Sequence, residues 1–207
     1  MPIELWLTFV AAASVVLTIP GPTVMLVASF ALVHGRQSGW ATVPGVALGD
    51  ITAMTVSLLG AGTVLAASAT LFTLLKLAGA VYLIWLGIKL WRSTPTLAQY
   101  PGCENTSSPG RMFWQAYLVT ALNPKSIVFF VAFVPQFIDT ALPVWPQFLI
   151  LEATFVSLAV ANVTLWALVA GKLKAKVNNP GTLSVINRTS GGVLVGAGVM
   201  TAAARHS

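Results

Sequence analysis

The residues able to do chemistry in this chain are few, and most stand where a charge is costly. Asp50 and Glu152 are carboxylates inside long apolar runs, and Lys125 is a cation inside another. An ionisable side chain in such a run is expensive unless it faces a partner or a cavity, which makes each a candidate for binding or proton transfer. Two backbone features accompany them. Leu17-Thr18-Ile19-Pro20-Gly21-Pro22-Thr23 sets two prolines around a glycine, and Leu122-Asn123-Pro124-Lys125 holds another proline. Proline removes a backbone donor, and its ring clashes with the preceding turn. A helix crossing either stretch must break, freeing backbone groups that lipid cannot satisfy and that only protein or a watery cavity can.

Each feature points to a kind of ligand. The half-helix starting at Thr23 presents N–H groups without intrahelical acceptors and the positive end of a helix dipole, which suits a carboxylate. Asn123 offers an amide to a substrate or to a freed carbonyl. Lys125 can hold an anionic group or balance an acid, unless it reaches along its helix to an interface. Asp50 lies about 15 Å along its helix from Trp40 at ~1.5 Å per residue, near mid-membrane. It can exchange a proton or hold a substrate ammonium, unless it serves only as a structural partner of Lys125 or Lys76. Glu152 is its counterpart from the opposite side, with a position nearer the outer surface as the alternative. The expected substrate-binding set is therefore Pro20, Gly21, Pro22, Thr23, Asp50, Asn123, Pro124, Lys125 and Glu152, with Asp50 and Glu152 as proton-coupling candidates.

The elements that position these residues follow from composition. The chain has 207 residues, 57% hydrophobic and only 8% charged. Soluble domains carry about 25% charged residues, so this much apolar surface calls for a bilayer. Apolar runs mark six spans, at Ile3–Val33, Trp40–Ala67, Leu71–Trp91, Met112–Ile138, Val144–Gly171 and Leu183–Ala204. The first run is longer than a signal-peptide core and no Lys or Arg precedes it, so it is expected to stay as a membrane helix. Trp6, Trp40, Trp91, Trp114 and Trp145 fall near span ends, as an interfacial aromatic belt requires. Trp85 and Trp166 fall further in, as lipid-facing or packing residues.

Basic residues collect on one side: Arg36, then Lys89, Arg92 and Arg111, then Lys172, Lys174, Lys176 and Arg188. Glu4, Asp139 and the tail with Arg205 fall on the other. The basic side is expected to be cytoplasmic and both termini periplasmic, in a bacterial inner membrane. The net charge of +6 thus reflects topology, and nucleic acid is not an expected partner. The single Cys103 cannot form an internal disulfide. Neither a metal-ligand cluster nor a phosphate-binding loop is apparent, and no cofactor is expected.

The polar stretch 93–111, rich in Pro and Gly, reads as a cytoplasmic linker between two three-helix halves, 1–92 and 112–207. An odd number of helices per half requires one half to be inverted relative to the other. Pro22 lies 102 positions before Pro124 (124 − 22 = 102), and the same shift takes Asp50 to Glu152 and Thr52 to Thr154. A shift of 112 takes Lys76 to Arg188 and Gly79 to Gly191. The expectation is an all-α polytopic membrane protein with six helices as a 3+3 inverted repeat, helices 1 and 4 broken. Gly45, Gly49, Ala53, Ser57 and Ala61 put small residues along one helix face and permit close packing. Such faces, with Gly191, Gly192, Gly196 and Gly198, also permit a homodimer.

The sequence resembles the LysE/RhtB family of amino-acid exporters over nearly its whole length. The likeness rests on Pro20-Gly21-Pro22, Gly35, Gly39, Gly45, Gly49-Asp50, the run Lys76 to Leu83 with Gly79 and Tyr82, Gly87, Asn123-Pro124-Lys125, Phe129-Phe130 and Pro135-Gln136-Phe137. Ala116 departs from it, standing where that pattern has glycine. The resemblance implies export of small amino acids or derivatives, of the threonine, homoserine and homoserine lactone class, coupled to the proton gradient, and lies closer to the RhtB branch. A metal-ion exporter of similar architecture and an intramembrane enzyme are the alternatives. The first needs several converging acids, and the second needs a catalytic cluster that the sequence does not display.

Overall fold

The computed structural model describes residues 1–92, 108–139 and 141–170, with residues 188–189, 191–192, 195–196, 198–199 and 202–203 of the last stretch. Cys103, the lysines of 172–176 and most of the sixth expected span lie outside the described residues, as does the linker up to residue 107. The described residues are helical, without strands, and their apolar helices are those of a membrane protein.

Helix α1 (Ile3–Thr18) stops where the prolines begin, and its last turn is closed by Ile19 N donating to Val16 O at 3.3 Å. Helix α2 (Pro22–His34) starts on Pro22, whose missing N–H has no intrahelical acceptor in any case. It ends at Gly35, whose φ of 77° favours a residue without a Cβ. A short 3₁₀ turn, Arg36–Ser38, leads into α3 (Gly39–Ala67), and α4 (Ala69–Arg92) follows after Ser68. Helix α5 (Pro109–Ala121) begins three residues ahead of the expected Met112, because Pro109 serves as its first-turn proline. Helix α6 (Pro124–Ala132) gives way to a 3₁₀ turn, Val134–Phe137, so the fourth apolar run is not continuous helix to Ile138. Pro135 lacks the donor that a continuing helix needs. Helix α7 (Val144–Ala170) is unbroken.

Among the described residues, Arg36–Thr63 and Val144–Val169 are each long and apolar enough to cross a bilayer, and α1 with α2 qualifies as one span bent by 53°. Large apolar side chains on the outside, such as Val56, Val81, Leu118 and Leu165, face where lipid would be. Trp40, Trp114 and Trp145 are exposed near helix ends, as a belt requires, whereas Trp166 packs beside Ala28 and Ala31.

Close backbone approach sets the packing. A methyl group added at Gly45 would lie 2.5 Å from Phe113 O, and one at Gly49 would lie 2.7 Å from Thr120 Cβ. The small-residue face of α3 is therefore pressed onto α5. Ala116 packs at this contact, opposite Gly45, which explains how an alanine is accepted there. Gly79 brings α4 onto Ala132 of α6, and Gly87 meets Gly191 in the last stretch. Between α1, α6 and α7 sits an aromatic core of Phe9, Phe129, Phe130, Phe133, Phe137 and Phe155. The end of α2, the start of α3 and the start of α5 converge around one surface groove, and Gly39 touches Ala167 near the end of α7. At the opposite end, Trp6 of α1 donates to Thr154 of α7 at 3.1 Å.

Candidate functional site

The two proline breaks meet. Between α1 and α2 the chain is non-helical at Ile19, Pro20 and Gly21, and between α5 and α6 at Leu122 and Asn123. The residue that follows each leading proline reaches across to the other break. Lys125 is buried and donates through Nζ to Val16 O at 3.2 Å, which also accepts from Ile19 N, and to Ile19 O at 2.9 Å, just past the end of α1. Thr23 Oγ1 accepts from Thr120 Oγ1 at 3.2 Å and from Asn123 Nδ2 at 3.3 Å. Lys125 thus does not reach along its helix to an interface. Its ammonium takes the place of the missing backbone donors of the first break, which stabilises an opening that lipid could not.

Asn123 has two tasks. Its Oδ1 accepts from Lys125 N at 3.1 Å, capping α6, while its amide nitrogen holds Thr23. The N-terminus of α2 is different: Gly21 precedes it without a side-chain cap. The first-turn N–H groups of α2 are therefore open to a ligand, and Gly21 leaves room for the lysine. A methyl group there would lie 3.1 Å from Lys125 Nζ.

A cavity of about 20 Å³ lies at this junction. Gly21, Thr23, Asp50, Asn123 and Lys125 all line it. Asp50 is 3% exposed and shares this lining with the Lys125 side chain. Among the described residues its carboxylate accepts no hydrogen bond and forms no ion pair. A buried carboxylate without such partners is rare and costly, and points to a ligand or proton that completes it. Pro20 and Pro22 shape the break. Pro124 starts α6, and with Asn123 it fixes the angle at which Lys125 enters.

Glu152 is not part of this group. It is half-buried on α7 and accepts a hydrogen bond from Thr55 Oγ1 at 2.6 Å, outside the cavity lining. The 102-residue correspondence relates Asp50 and Glu152 in sequence without bringing both to one cavity.

Residues 14–204 match the LysE type translocators. The chain belongs to that family. It is 32% identical over 207 residues to the homoserine/homoserine lactone efflux protein of Salmonella typhimurium, covering 100% of both chains. It is 33% identical over 205 residues to an uncharacterized membrane protein of Vibrio cholerae, covering 99% of this chain and 100% of that one. It is also 33% identical over 136 residues to the leucine efflux protein of Klebsiella pneumoniae, covering 65% of this chain and 63% of the other. No solved structure matches the chain. The chain is thus a membrane protein of an amino-acid efflux transporter family.

In this LysE-type chain Asn162, Thr120 and Ser126 also join the junction, although none belongs to the set expected from sequence. Asn162 of α7 donates to Leu17 O at 2.9 Å, so a second side chain serves the broken end of α1. Asn162 and Ser126 also line the cavity. The one signal for Asn162 is an amide in the middle of the apolar run Val144–Gly171, well away from Gln147 near its start. Nothing in its neighbours points to the first break, because the contact spans 145 positions.

Proposed function

We propose that this chain is a secondary transporter that exports small amino acids or close derivatives from the cytoplasm, by proton antiport with alternating access. One observation carries the reading: a buried acid, a buried ammonium and the uncapped N-terminus of α2 share one cavity at the meeting of two helix breaks. Those groups are the complement of a zwitterion. The substrate carboxylate lies between Lys125 and the first N–H groups of α2, and its ammonium meets Asp50. Asn123 and Pro124 hold the frame.

At about 20 Å³ the cavity has room for roughly one water, far less than an amino acid needs. Substrate entry therefore requires the walls to part, which is the motion that alternating access supplies. Asp50 exchanges a proton when substrate is absent, and Glu152, hydrogen-bonded to Thr55, is the second proton-coupling acid. The names of the relatives, efflux proteins for homoserine, homoserine lactone and leucine, favour small α-amino acids and their derivatives as cargo.

The arrangement proposed around this site is six spans in two inverted halves, 1–92 and 112–207, joined by the linker 93–111. Helices α2 and α6 both begin on a proline, 102 positions apart (124 − 22 = 102), which supports it. The end bearing Arg36 and Arg111 is cytoplasmic, with both termini periplasmic in the bacterial inner membrane.

The test is uptake of radiolabelled homoserine, threonine and leucine into inverted membrane vesicles with an imposed proton gradient. The wild type accumulates at least one of them, and a protonophore abolishes accumulation. Asp50→Asn loses gradient-driven accumulation. Full gradient-driven transport by Asp50→Asn overturns the role of Asp50. Accumulation of divalent metal in place of any amino acid overturns the substrate class in favour of a metal exporter.

A further inference from the structure

Asp50, Lys125 and the end of α2 can recognise only what every α-amino acid shares, so none of them tells one substrate from another. The groups left over in the same cavity can. Ser126 of α6 is 7% exposed, lines the cavity and makes no hydrogen bond among the described residues. Asn162 of α7 lines it too. Its amide nitrogen is committed to Leu17 O at 2.9 Å, which fixes the orientation of the amide. Its Oδ1 accepts nothing among the described residues. Buried polar groups are ordinarily paired, so the unpaired Ser126 hydroxyl, with the amide oxygen of the half-buried Asn162 beside it on the same lining, marks a place where a ligand completes it. Phe155, Ala159 and Val163 of α7 supply apolar wall to the same space, and all three are buried.

We propose that Ser126 and Asn162 read the substrate side chain, and that these two residues set the preference for a hydroxyl over a methyl group at its end. This rests on the export reading above. A hydroxyl donates to Asn162 Oδ1 and accepts from Ser126 Oγ, satisfying both at once. A methyl group in its place leaves both unpaired. Sites built to hydrogen-bond a substrate hydroxyl reject the analogue lacking it far more strongly than apolar pockets reject an extra methylene. Phe155 and Ala159 limit length, since they sit one turn apart on the same helix and close the wall between α7 and the break. Ser126 and Asn162 belong to different elements, α6 and α7, so both move with the walls that must part to admit substrate.

The experiment is competitive uptake of homoserine and norvaline, which carries a methyl group where homoserine has its hydroxyl. It uses inverted vesicles holding the full-length protein, and the readout is the ratio of the two labels. A ratio is independent of how much protein reaches the membrane. The wild type favours homoserine. Ser126→Ala and Asn162→Leu each lower the ratio by about three- to tenfold, the worth of one hydrogen bond. Asn162→Leu also frees Leu17 O, so its total transport falls, and the ratio separates that loss from side-chain reading. A wild type that moves both probes equally overturns the inference and leaves the export reading standing. So does an unchanged ratio in both variants. A wild type that moves neither probe nor any other amino acid overturns both.

Discussion

The two helix breaks resemble each other in sequence and differ in what satisfies them. The break between α5 and α6 is satisfied by its own residues. Leu122 N bonds Leu118 O, Asn123 N bonds Thr120 O, and the Asn123 side chain caps the next helix at Lys125 N. The break between α1 and α2 keeps one bond of its own, Ile19 N to Val16 O, and is otherwise held from outside, by Lys125 of α6 on Val16 O and Ile19 O and by Asn162 of α7 on Leu17 O. Its following helix has no side-chain cap. A break satisfied by its own residues is a fixed part, whereas one satisfied by side chains from other helices can exchange those partners for a ligand. Under the export reading proposed above, the first break is accordingly where substrate would compete for Lys125, and the second is the frame from which Lys125 is presented.

The frame can be broken most severely at Gly49. A side chain there would start 2.7 Å from Thr120 Cβ and 2.9 Å from Tyr117 O, and backbone cannot yield as a side-chain tip can. Overpacking of this kind costs about 1–3 kcal/mol or more. Gly49→Leu is expected to remove nearly all protein from the membrane fraction, measured by immunoblot. Normal abundance would show that α5 is not clamped and that the second break is as free as the first.

Next in size is Lys125→Met, which keeps the length of the side chain and removes its charge. Two hydrogen bonds to a charged group are lost, each worth about 1.5 kcal/mol or more, so transport should fall by about a hundredfold. The expected loss exceeds any fall in abundance, because α5 and α6 keep their own bonds. Export close to wild type in this variant would mean that the first break does not depend on the lysine.

Much of this contrast was legible in the sequence alone. Proline chemistry located both breaks, and the apolar setting of Asp50 and Lys125 marked them for attention. What the sequence left open was partnership. Lys125 could balance an acid, bind an anion or reach an interface, and only its distance to Val16 O and Ile19 O separates these. Glu152 shows the converse. A 102-residue correspondence with Asp50 suggested a shared site, yet a side chain's depth depends on helix rotation, which periodicity leaves loose in a uniformly apolar span. Thr55 is hydrogen-bonded to Glu152, and Asp50 faces the cavity.

A smaller effect is expected at Gly21. A methyl group would sit 3.1 Å from Lys125 Nζ and 3.3 Å from its Cε, and the end of a lysine can shift by a few tenths of an ångström. The φ of −102° at Gly21 suits alanine, so Gly21→Ala should fold. Transport should drop about fivefold, corresponding to ~1 kcal/mol, with abundance unchanged. An effect on abundance without one on transport per molecule would place Gly21 in the frame instead.

The smallest effect should come from Asn123→Ala, and it tests the comparison most directly. Loss of the cap on α6 costs about 1 kcal/mol. Thr23 loses the Asn123 amide as a donor and keeps Thr120, so the two breaks remain joined. The unfolding midpoint in detergent should fall by about 2–4 °C, the shift such a cost produces in a chain of this size. Asn123→Ser, which can restore the cap, should recover it, while transport per molecule stays within about twofold of wild type in both, since a cap of ~1 kcal/mol lost equally from all conformations leaves their ratio unchanged. If Asn123→Ala instead abolishes transport at unchanged stability, and Asn123→Ser does not restore it, then the amide acts on substrate itself. The second break would then be half of the binding site, and its self-sufficiency only a resting arrangement.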